Sequence, residues 1–200
     1  MMQRIYDERT IYKKKMLKAK QEYETRPTDQ LKRDIAKFNN VQMARKIQLN
    51  SAYGAIGNQY FRYYNLANAE AITLSGQVAI RWIENKVNSY LNKVLNTEET
   101  DYVIASDTDS IYLNLGPLVQ AVFPSGEKDD QSTLSFLKKV CDVELDRYIA
   151  SSYEEMATYV NAYDQKMVMK RENIANKGIW TAKKRYILNV WNSEGVQYEK

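Results

Sequence analysis

The chain has 200 residues, of which 44% are hydrophobic and 27% charged, and its formal net charge is +4. This composition is typical of a folded protein with one domain or two small ones, and it excludes an intrinsically disordered chain. The sequence has no histidine and one cysteine, which excludes Ser-His-Asp and Cys-His nucleophile systems, His-based zinc sites and intrachain disulfides. Any chemistry must therefore use carboxylates, Lys, Arg, Tyr and metal ions.

The features of exported and membrane proteins are missing from the sequence. No stretch approaches the roughly 20 apolar residues that span a bilayer, and the N-terminus is charged from Arg4 onward. We therefore expect an intracellular protein with no membrane partner. The pI of about 8.9 is compatible with a nucleic-acid partner but is weak evidence for one.

Two long helices are predicted at the start of the chain. Residues 2–25 are rich in Lys, Arg, Glu and Gln and contain no Gly or Pro, which predicts a helix with a narrow apolar stripe. Pro27 breaks this pattern, and Thr28 or Asp29 can cap a second helix from about Gln30 to Tyr53. A connection this short predicts an antiparallel helical hairpin.

The second predicted helix carries a polar stripe near its end. Lys46, Asn50 and Tyr53 are spaced i, i+4 and i+7, so they share one face, and Gly54 comes next. A cation can hold a phosphate, a ring can stack on a base, and glycine leaves room for a ligand. The alternative is a solvated helix face with Gly54 as the helix C-cap.

The middle of the chain alternates helices with short strands. An amphipathic helix is predicted from about Asn68 to Asn96, with Ile72 among its core positions, and another from Ser132 to about Ala162, with Cys141 in its core. Residues 116–130 are predicted to form a loop with one helical turn.

An acidic motif lies between two runs of strand-forming residues. Asp107 and Asp109 flank Thr108, and this pattern predicts a hairpin with both carboxylates at or next to its tip. Residues i and i+2 of an extended chain point to one face, so the two carboxylates are expected to share a divalent cation such as Mg²⁺. The alternative is a surface turn in which Asp and Ser bind the backbone. A calcium loop is excluded because its sixth and twelfth positions are Tyr112 and Leu118.

Strands and basic residues dominate the last segment. A strand is predicted over residues 166–171, followed by Glu172 as a third acidic residue at a strand end. The basic run Lys183-Lys184-Arg185 precedes Tyr186 and is predicted to lie inside a strand, where it can contact a phosphate backbone.

Taken together, these motifs resemble those of the family B DNA polymerases, most closely the T-even-like bacteriophage type. The segment from Asn50 to Asn58, with Phe61-Arg62-Tyr63-Tyr64 behind it, is similar to polymerase motif B. Residues 107–110 are similar to motif C, and residues 183–186 to the primer-gripping motif. The resemblance implies an α+β fold. An antiparallel helical hairpin (fingers, residues 1–58) joins a partial palm (residues 59–200) of antiparallel strands packed with long helices.

The resemblance also implies residue roles. Asp109 and Asp107 are expected as metal ligands and Glu172 as an acidic residue near the catalytic site, with Mg²⁺ as the cofactor. The incoming dNTP is expected to meet six residues: Arg9, Lys13, Lys46, Asn50, Tyr53 and Gly54. Primer-template DNA is expected to meet four: Lys183, Lys184, Arg185 and Tyr186.

One departure from the family pattern is important. Motif A, an Asp followed shortly by Ser/Leu-Tyr-Pro, does not occur in these 200 residues. The sequence therefore predicts a DNA-directed DNA polymerase fragment or split subunit that is inactive alone. A second polypeptide carrying motif A and the exonuclease, and replisome proteins, are its expected partners. For a phage-encoded chain, the expected location is the infected bacterium's cytoplasm. The alternatives are a non-catalytic nucleic-acid-binding module, and a helical structural protein, which does not explain the acidic hairpin.

Overall fold

The computed structural model describes residues 1–124, 129–194 and 196–197, which form seven helical segments and five strands within these ranges. The first half contains α1 (Met2–Thr25), α2 (Asp29–Ile56), α3 (Leu66–Leu95), β1 (Val103–Asp107) and β2 (Ser110–Leu113). The second half contains α4 (Gly116–Val122), α5 (Asp130–Lys139), a π-helical segment (Val140–Leu145), α6 (Asp146–Tyr159), β3 (Asn173–Ala182), β4 (Arg185–Ser193) and β5 (Val196–Gln197). The strands form two antiparallel sheets, ordered β1-β2 and β3-β4-β5. The predicted α+β fold, with a helical hairpin followed by antiparallel strands and long helices, is confirmed.

The chain divides into two compact units. The first contains residues 1–72 and 175–179 and the described residues from 187 onward, and the second contains residues 73–174 and 180–186 apart from 125–128. Helix α3 and strands β3 and β4 each contribute residues to both units. Among the described helices, none combines the length and apolar character that a membrane span requires.

The first unit contains the predicted helical hairpin. The Thr28 hydroxyl accepts the backbone N–H of Leu31 at 3.2 Å, which satisfies an otherwise free donor in the first turn of α2. Partway along the hairpin, Tyr12 of α1 packs against Phe38 of α2, with ring centroids 6.2 Å apart. Further along, Glu8 and Arg45 form an ion pair at 2.8 Å. Since these pairs join increasing positions on one helix to decreasing positions on the other, the hairpin is antiparallel.

The core of the second unit is built on α3. Ala79, Ile83, Val87 and Leu91 are all at most 5% exposed, and their i, i+4 spacing forms one stripe on the helix. They pack with Tyr102, Ile149, Tyr153 and Met156. Next to this core, the Trp82 indole N–H donates a hydrogen bond to the Ser152 carbonyl at 2.9 Å, which links α3 to α6.

Several predicted elements are corrected by the structure. Helix α2 continues through Gly54 to Ile56 and is capped at Gly57, whose N–H bonds to the carbonyl of Tyr53, so the reading of Gly54 as the C-cap is wrong. Ile72, predicted to be in the core, is exposed. Cys141 is half-buried within the π-helical segment that interrupts the predicted long helix.

The predicted loop after β2 also differs in part. It contains the two-turn helix α4, with Pro117 in its first turn. Backbone N–H groups in the first turn have no partner within the helix, so proline, which has no N–H, costs no hydrogen bond there. Residues 125–128 of the same predicted loop lie outside the described residues.

The predicted strand over residues 166–171 is wrong. In the structure this segment has no strand partner among the described residues, although its side chains alternate between exposed and half-buried. Met167 and Met169 pack against the core, while Lys170 and Arg171 bind carboxylates of the helical segment Val140–Tyr159. The alternating burial of these side chains therefore indicates an extended chain lying against the core, and not a strand paired in a sheet.

Candidate functional site

The acidic hairpin is anchored by an asparagine on α3. The Asn88 side-chain oxygen accepts the backbone N–H groups of Tyr102 at 2.9 Å and Val103 at 3.1 Å. The Tyr102 ring is 2% exposed and belongs to the core, and its carbonyl accepts the N–H of Asn114 at 2.8 Å. The strand leading to the tip is therefore fixed by the packed core of the second unit.

The tip of this hairpin carries the predicted carboxylates. Asp107 ends β1 opposite Ser110, and Thr108 and Asp109 form the two-residue turn between the strands. The Asp107 carboxylate accepts the Thr108 hydroxyl at 2.9 Å, and the Ser110 hydroxyl donates to the Asp107 carbonyl at 3.1 Å. The predicted hairpin and the position of both aspartates at or next to its tip match the structure.

The prediction that the two carboxylates share one face assumes an extended chain, and the structure does not have one here. Thr108 has φ +55°, in the left-handed region, so the chain is not extended between Asp107 and Asp109. Strand alternation therefore does not determine where Asp109 points. Asp109 is exposed in the turn, and the Asp107 side chain is 35% exposed.

The basic motif also lies at a hairpin tip. Lys183 and Lys184 form the turn between β3 and β4, and Lys184 has φ +64°. The prediction that the basic run lies inside a strand is therefore wrong, because lysine carries no turn signal that sequence reasoning can detect. Arg185 and Tyr186 do begin β4, as expected for the end of that run.

The acidic and basic tips meet within the second unit. The Lys184 ammonium lies 3.9 Å from the Asp107 carboxylate. A cleft of about 100 Å³ opens between the tips and is lined by Ala105, Ser106, Asp107, Tyr112, Trp180, Ala182, Lys183, Lys184 and Tyr186. Because the Lys184 side chain is 67% exposed, solvent screens this pair and it contributes little to stability.

Three aromatic rings join the two tips. Tyr112 on β2 meets Trp180 edge-on at 5.4 Å and Tyr186 at 5.3 Å, and the last two rings stack at 6.3 Å. Burial and the hydrogen bond with Tyr186 raise the pKa of Tyr112 from 10.0 to about 12, so its hydroxyl keeps its proton at pH values where an exposed tyrosine loses it. Sequence reasoning missed Tyr112 and Trp180, although each lies five residues or fewer from a residue that it selected.

The predicted nucleotide-binding residues lie in the first unit. The Glu8–Arg45 ion pair brings the α1 turn containing Arg9 level with the α2 turn containing Lys46. Arg9 is half-buried, and its Nε has no hydrogen-bond partner among the described residues. Lys13, one turn further along α1, is ion-paired with Glu194.

The predicted polar stripe on α2 is open to solvent. Lys46, Asn50 and Tyr53 are all exposed, and Tyr53 keeps 44% of its ring surface accessible. A Cβ placed on Gly54 would meet no atom within 4 Å. This end of α2 therefore presents a cation, an amide and an aromatic ring to solvent.

The metal-binding capacity of the second unit is partial. Glu172 is exposed immediately before β3, and the described residues contain no group of three or more His, Cys, Asp or Glu side chains positioned to hold a metal. Asp107 and Asp109 supply the carboxylate oxygens that Mg²⁺ prefers, so the donor chemistry fits this ion. Glu172 does not complete a three-carboxylate cluster with them.

Comparison with known proteins identifies the family. The sequence pattern of DNA polymerase family B matches residues 1–147, a stretch that includes the helical hairpin and the acidic tip. The chain belongs to DNA polymerase family B. This family B chain is 46% identical to the DNA-directed DNA polymerase of Escherichia phage RB69 over 165 residues, which are 78% of the chain and 18% of the relative.

Other relatives extend the range of similarity. The DNA-directed DNA polymerase of Enterobacteria phage T4 is 40% identical over 168 residues, covering 80% of the chain and 19% of the relative. The DNA polymerase delta catalytic subunit of Drosophila melanogaster is 34% identical over 89 residues, 44% of the chain and 8% of the relative. The chain spans less than a fifth of the length of these polymerases.

Proposed function

We propose that this family B chain binds an incoming dNTP and primer-template DNA and contributes part of a two-metal nucleotidyl-transfer site. The observation that supports this most strongly is the meeting of the acidic and basic tips, with Lys184 3.9 Å from Asp107. Carboxylates for metal ions and cations for phosphates are the groups that phosphoryl transfer requires, and histidine is not needed. We assign residues 1–58 to the fingers and residues 59–200 to the palm.

The second unit is proposed to hold the primer end. Lys183, Lys184 and Arg185 contact phosphates of the primer strand as point charges or forks, and Tyr186 orders their hairpin through its ring contacts. Asp109 and Asp107 would hold Mg²⁺, which when bound activates the primer 3′-hydroxyl and stabilises the leaving pyrophosphate. Glu172 is proposed as a further acidic group near this site.

The first unit is proposed to hold the nucleotide. Arg9, Lys13 and Lys46 bind the triphosphate, while Asn50 and Tyr53 line the pocket of the new base pair. The exposure of Lys46, Asn50 and Tyr53 and the free space at Gly54 support this assignment. Because the RB69 and T4 relatives are phage DNA polymerases, we propose that this chain acts in the cytoplasm of an infected bacterium, alongside replisome proteins.

Replacing the exposed cation Lys46 tests the proposal. Because the Lys46 side chain is exposed, we expect Lys46→Ala to keep the thermal stability. Its dATP–Mg²⁺ affinity should fall about tenfold, the loss of one charge-assisted phosphate contact. Isothermal titration calorimetry measures the affinity. Lys37→Ala, which removes another exposed lysine of α2, is the matched control and should bind as the unmodified chain does.

A second candidate function remains to be separated by the same measurement. A non-catalytic nucleic-acid-binding module would keep the basic tip at Lys183 and Lys184 and bind DNA without using the α2 stripe. Unchanged dATP affinity in Lys46→Ala would contradict the polymerase assignment and favour this module.

A further inference from the structure

One cation of the proposed triphosphate site is already paired with an acidic side chain. The Lys13 ammonium on α1 forms an ion pair with the carboxylate of Glu194, which lies in the turn between β4 and β5. The two side chains are 33% and 25% exposed, so the pair is partly shielded from water. Lys46, on α2, is exposed by comparison.

Glu194 is held in this place by packed structure. Strand β5 pairs with β4 through Asn192 with Gln197 and Ser193 with Val196. Asn192 is 0% exposed and Val196 2% exposed, and β5 lies against α1. The carboxylate therefore lies directly after the paired strand β4, in the same compact unit as Lys13.

The backbone of Glu194 is unusual for its residue type. Its φ is +50°, in the left-handed region that favours Gly or Asn and is unfavourable for a long side chain. Backbone strain of this kind is often retained where a side chain has a function. Here the function available to the side chain is its contact with Lys13.

A buried donor atom near Lys13 also has no hydrogen-bond acceptor among the described residues. The Nε of Arg9 is buried and has no hydrogen-bond partner among the described residues. Arg9 precedes Lys13 by one helical turn, so the two cations lie on the same face of α1. An anion that binds between them would satisfy this donor, which has no partner among the residues that the structure describes.

We propose that Glu194 is an internal competitor that occupies Lys13 in place of a phosphate group and is displaced when a triphosphate binds. This inference rests on the proposed role of Lys13 in nucleotide binding. A carboxylate and a phosphate are both oxygen acceptors with negative charge, so they repel each other at one ammonium group. Triphosphate binding therefore has to break the Lys13–Glu194 ion pair. The free energy of that pair lowers the apparent affinity of the chain for triphosphate.

The test uses inorganic tripolyphosphate as the probe and the 200-residue chain. Binding is followed by NMR titration of the lysine side-chain signals, which detects weak affinities. Glu194→Gln keeps the size of the side chain and removes its charge, and we expect it to tighten binding by about two- to fivefold, the strength of a partly exposed ion pair. Glu194→Asn, which suits the left-handed backbone, should give the same gain if Gln perturbs the turn.

A matched control removes a different charge. Glu24 is exposed on α1, eleven residues from Lys13 and hence about 16 Å along the helix. Glu24→Gln changes the net charge by the same amount and should leave tripolyphosphate affinity unchanged. Any equal gain in this variant would show a general charge effect and overturn the inference.

A double variant distinguishes competition at Lys13 from other effects. In the Lys13→Gln background, Glu194→Gln should produce no further gain, because the contact that it relieves is already absent. Equal affinity of Glu194→Gln and the unmodified chain would overturn the inference alone. Absence of tripolyphosphate binding in every variant would overturn the proposed nucleotide site together with it.

Discussion

At the scale of single residues, the side chains of the proposed site differ in how firmly they are held. Asp107 has contacts with Thr108 and Lys184, whereas Asp109, Lys46 and Asn50 are exposed. Exposed charged groups contribute little to folding, so their replacement changes ligand binding more than stability. Substitutions at such positions therefore separate function from fold.

Gly54 allows a prediction in which stability and function move in opposite directions. It lies inside α2 with open space around its Cα, so Gly54→Ala should raise the free energy of unfolding by up to about 1 kcal/mol. If nucleotide approaches this face, the added methyl group should weaken dATP binding at the same time. Thermal unfolding and calorimetry measure the two effects. A stabilised variant with unchanged affinity would contradict the placement of Gly54 in the pocket.

Cys141 provides a prediction on pH dependence. Burial raises the pKa of its thiol from 9.0 to about 11, with nearby Arg171 opposing the rise. Below pH 9 the stability associated with this protonated thiol is fully present, and it is lost as pH rises through the window from 9 to 11. Iodoacetamide at pH 8 should therefore modify the folded chain about 100-fold more slowly than the denatured chain. Equal rates, measured by mass spectrometry, would contradict this.

At the scale of elements, the second unit joins two hairpins through rings and not through a continuous sheet. In the part of the chain that the structure describes, the β1-β2 and β3-β4-β5 sheets are separate, so no strand pairing joins the acidic and basic tips. The contacts of Tyr112 with Trp180 and Tyr186 provide that alignment. Packing between side chains thus controls the distance from Lys184 to Asp107.

Substitution of Trp180 tests whether the aromatic rings align the two tips. Trp180→Ala should loosen the basic tip and weaken primer-template binding several-fold, because the lysines lose their fixed position. Trp180→Phe keeps a ring in the cluster and should retain most of the affinity, which distinguishes alignment from the loss of the indole N–H. Fluorescence anisotropy with labelled primer-template measures both variants. If Ala and Phe bind DNA equally well, the ring cluster does not align the tip.

At the scale of the whole molecule, the 200 residues carry only some of the motifs on which the proposed polymerase function rests. They include the acidic tip, the basic tip and the helical hairpin, but no motif A segment. The described residues also contain no group of three acidic side chains positioned to hold a metal. On the proposed function, we expect a further carboxylate from other sequence, either elsewhere in a longer polypeptide or in a second one.

A primer-extension assay tests this prediction directly. We expect the purified 200-residue chain to bind primer-template but to add no nucleotides, since one side of the metal site is absent. The phage RB69 polymerase, assayed on the same primer, is the positive control. Robust synthesis by the isolated chain, abolished by Asp109→Asn, would overturn the requirement for a motif A carboxylate.

Local pattern in the sequence was sufficient for the helices, the acidic hairpin and the family. Thr28 predicted the start of α2, and the Asp-Thr-Asp motif predicted the tip, because caps and turns depend on residues a few positions apart. Tertiary structure alone decided that Lys183 and Lys184 form a turn facing Asp107, that Tyr112 and Trp180 join the tips, and that Glu194 pairs with Lys13. These contacts join segments about 70 to 180 residues apart, and their geometry comes from packing, which no local pattern encodes.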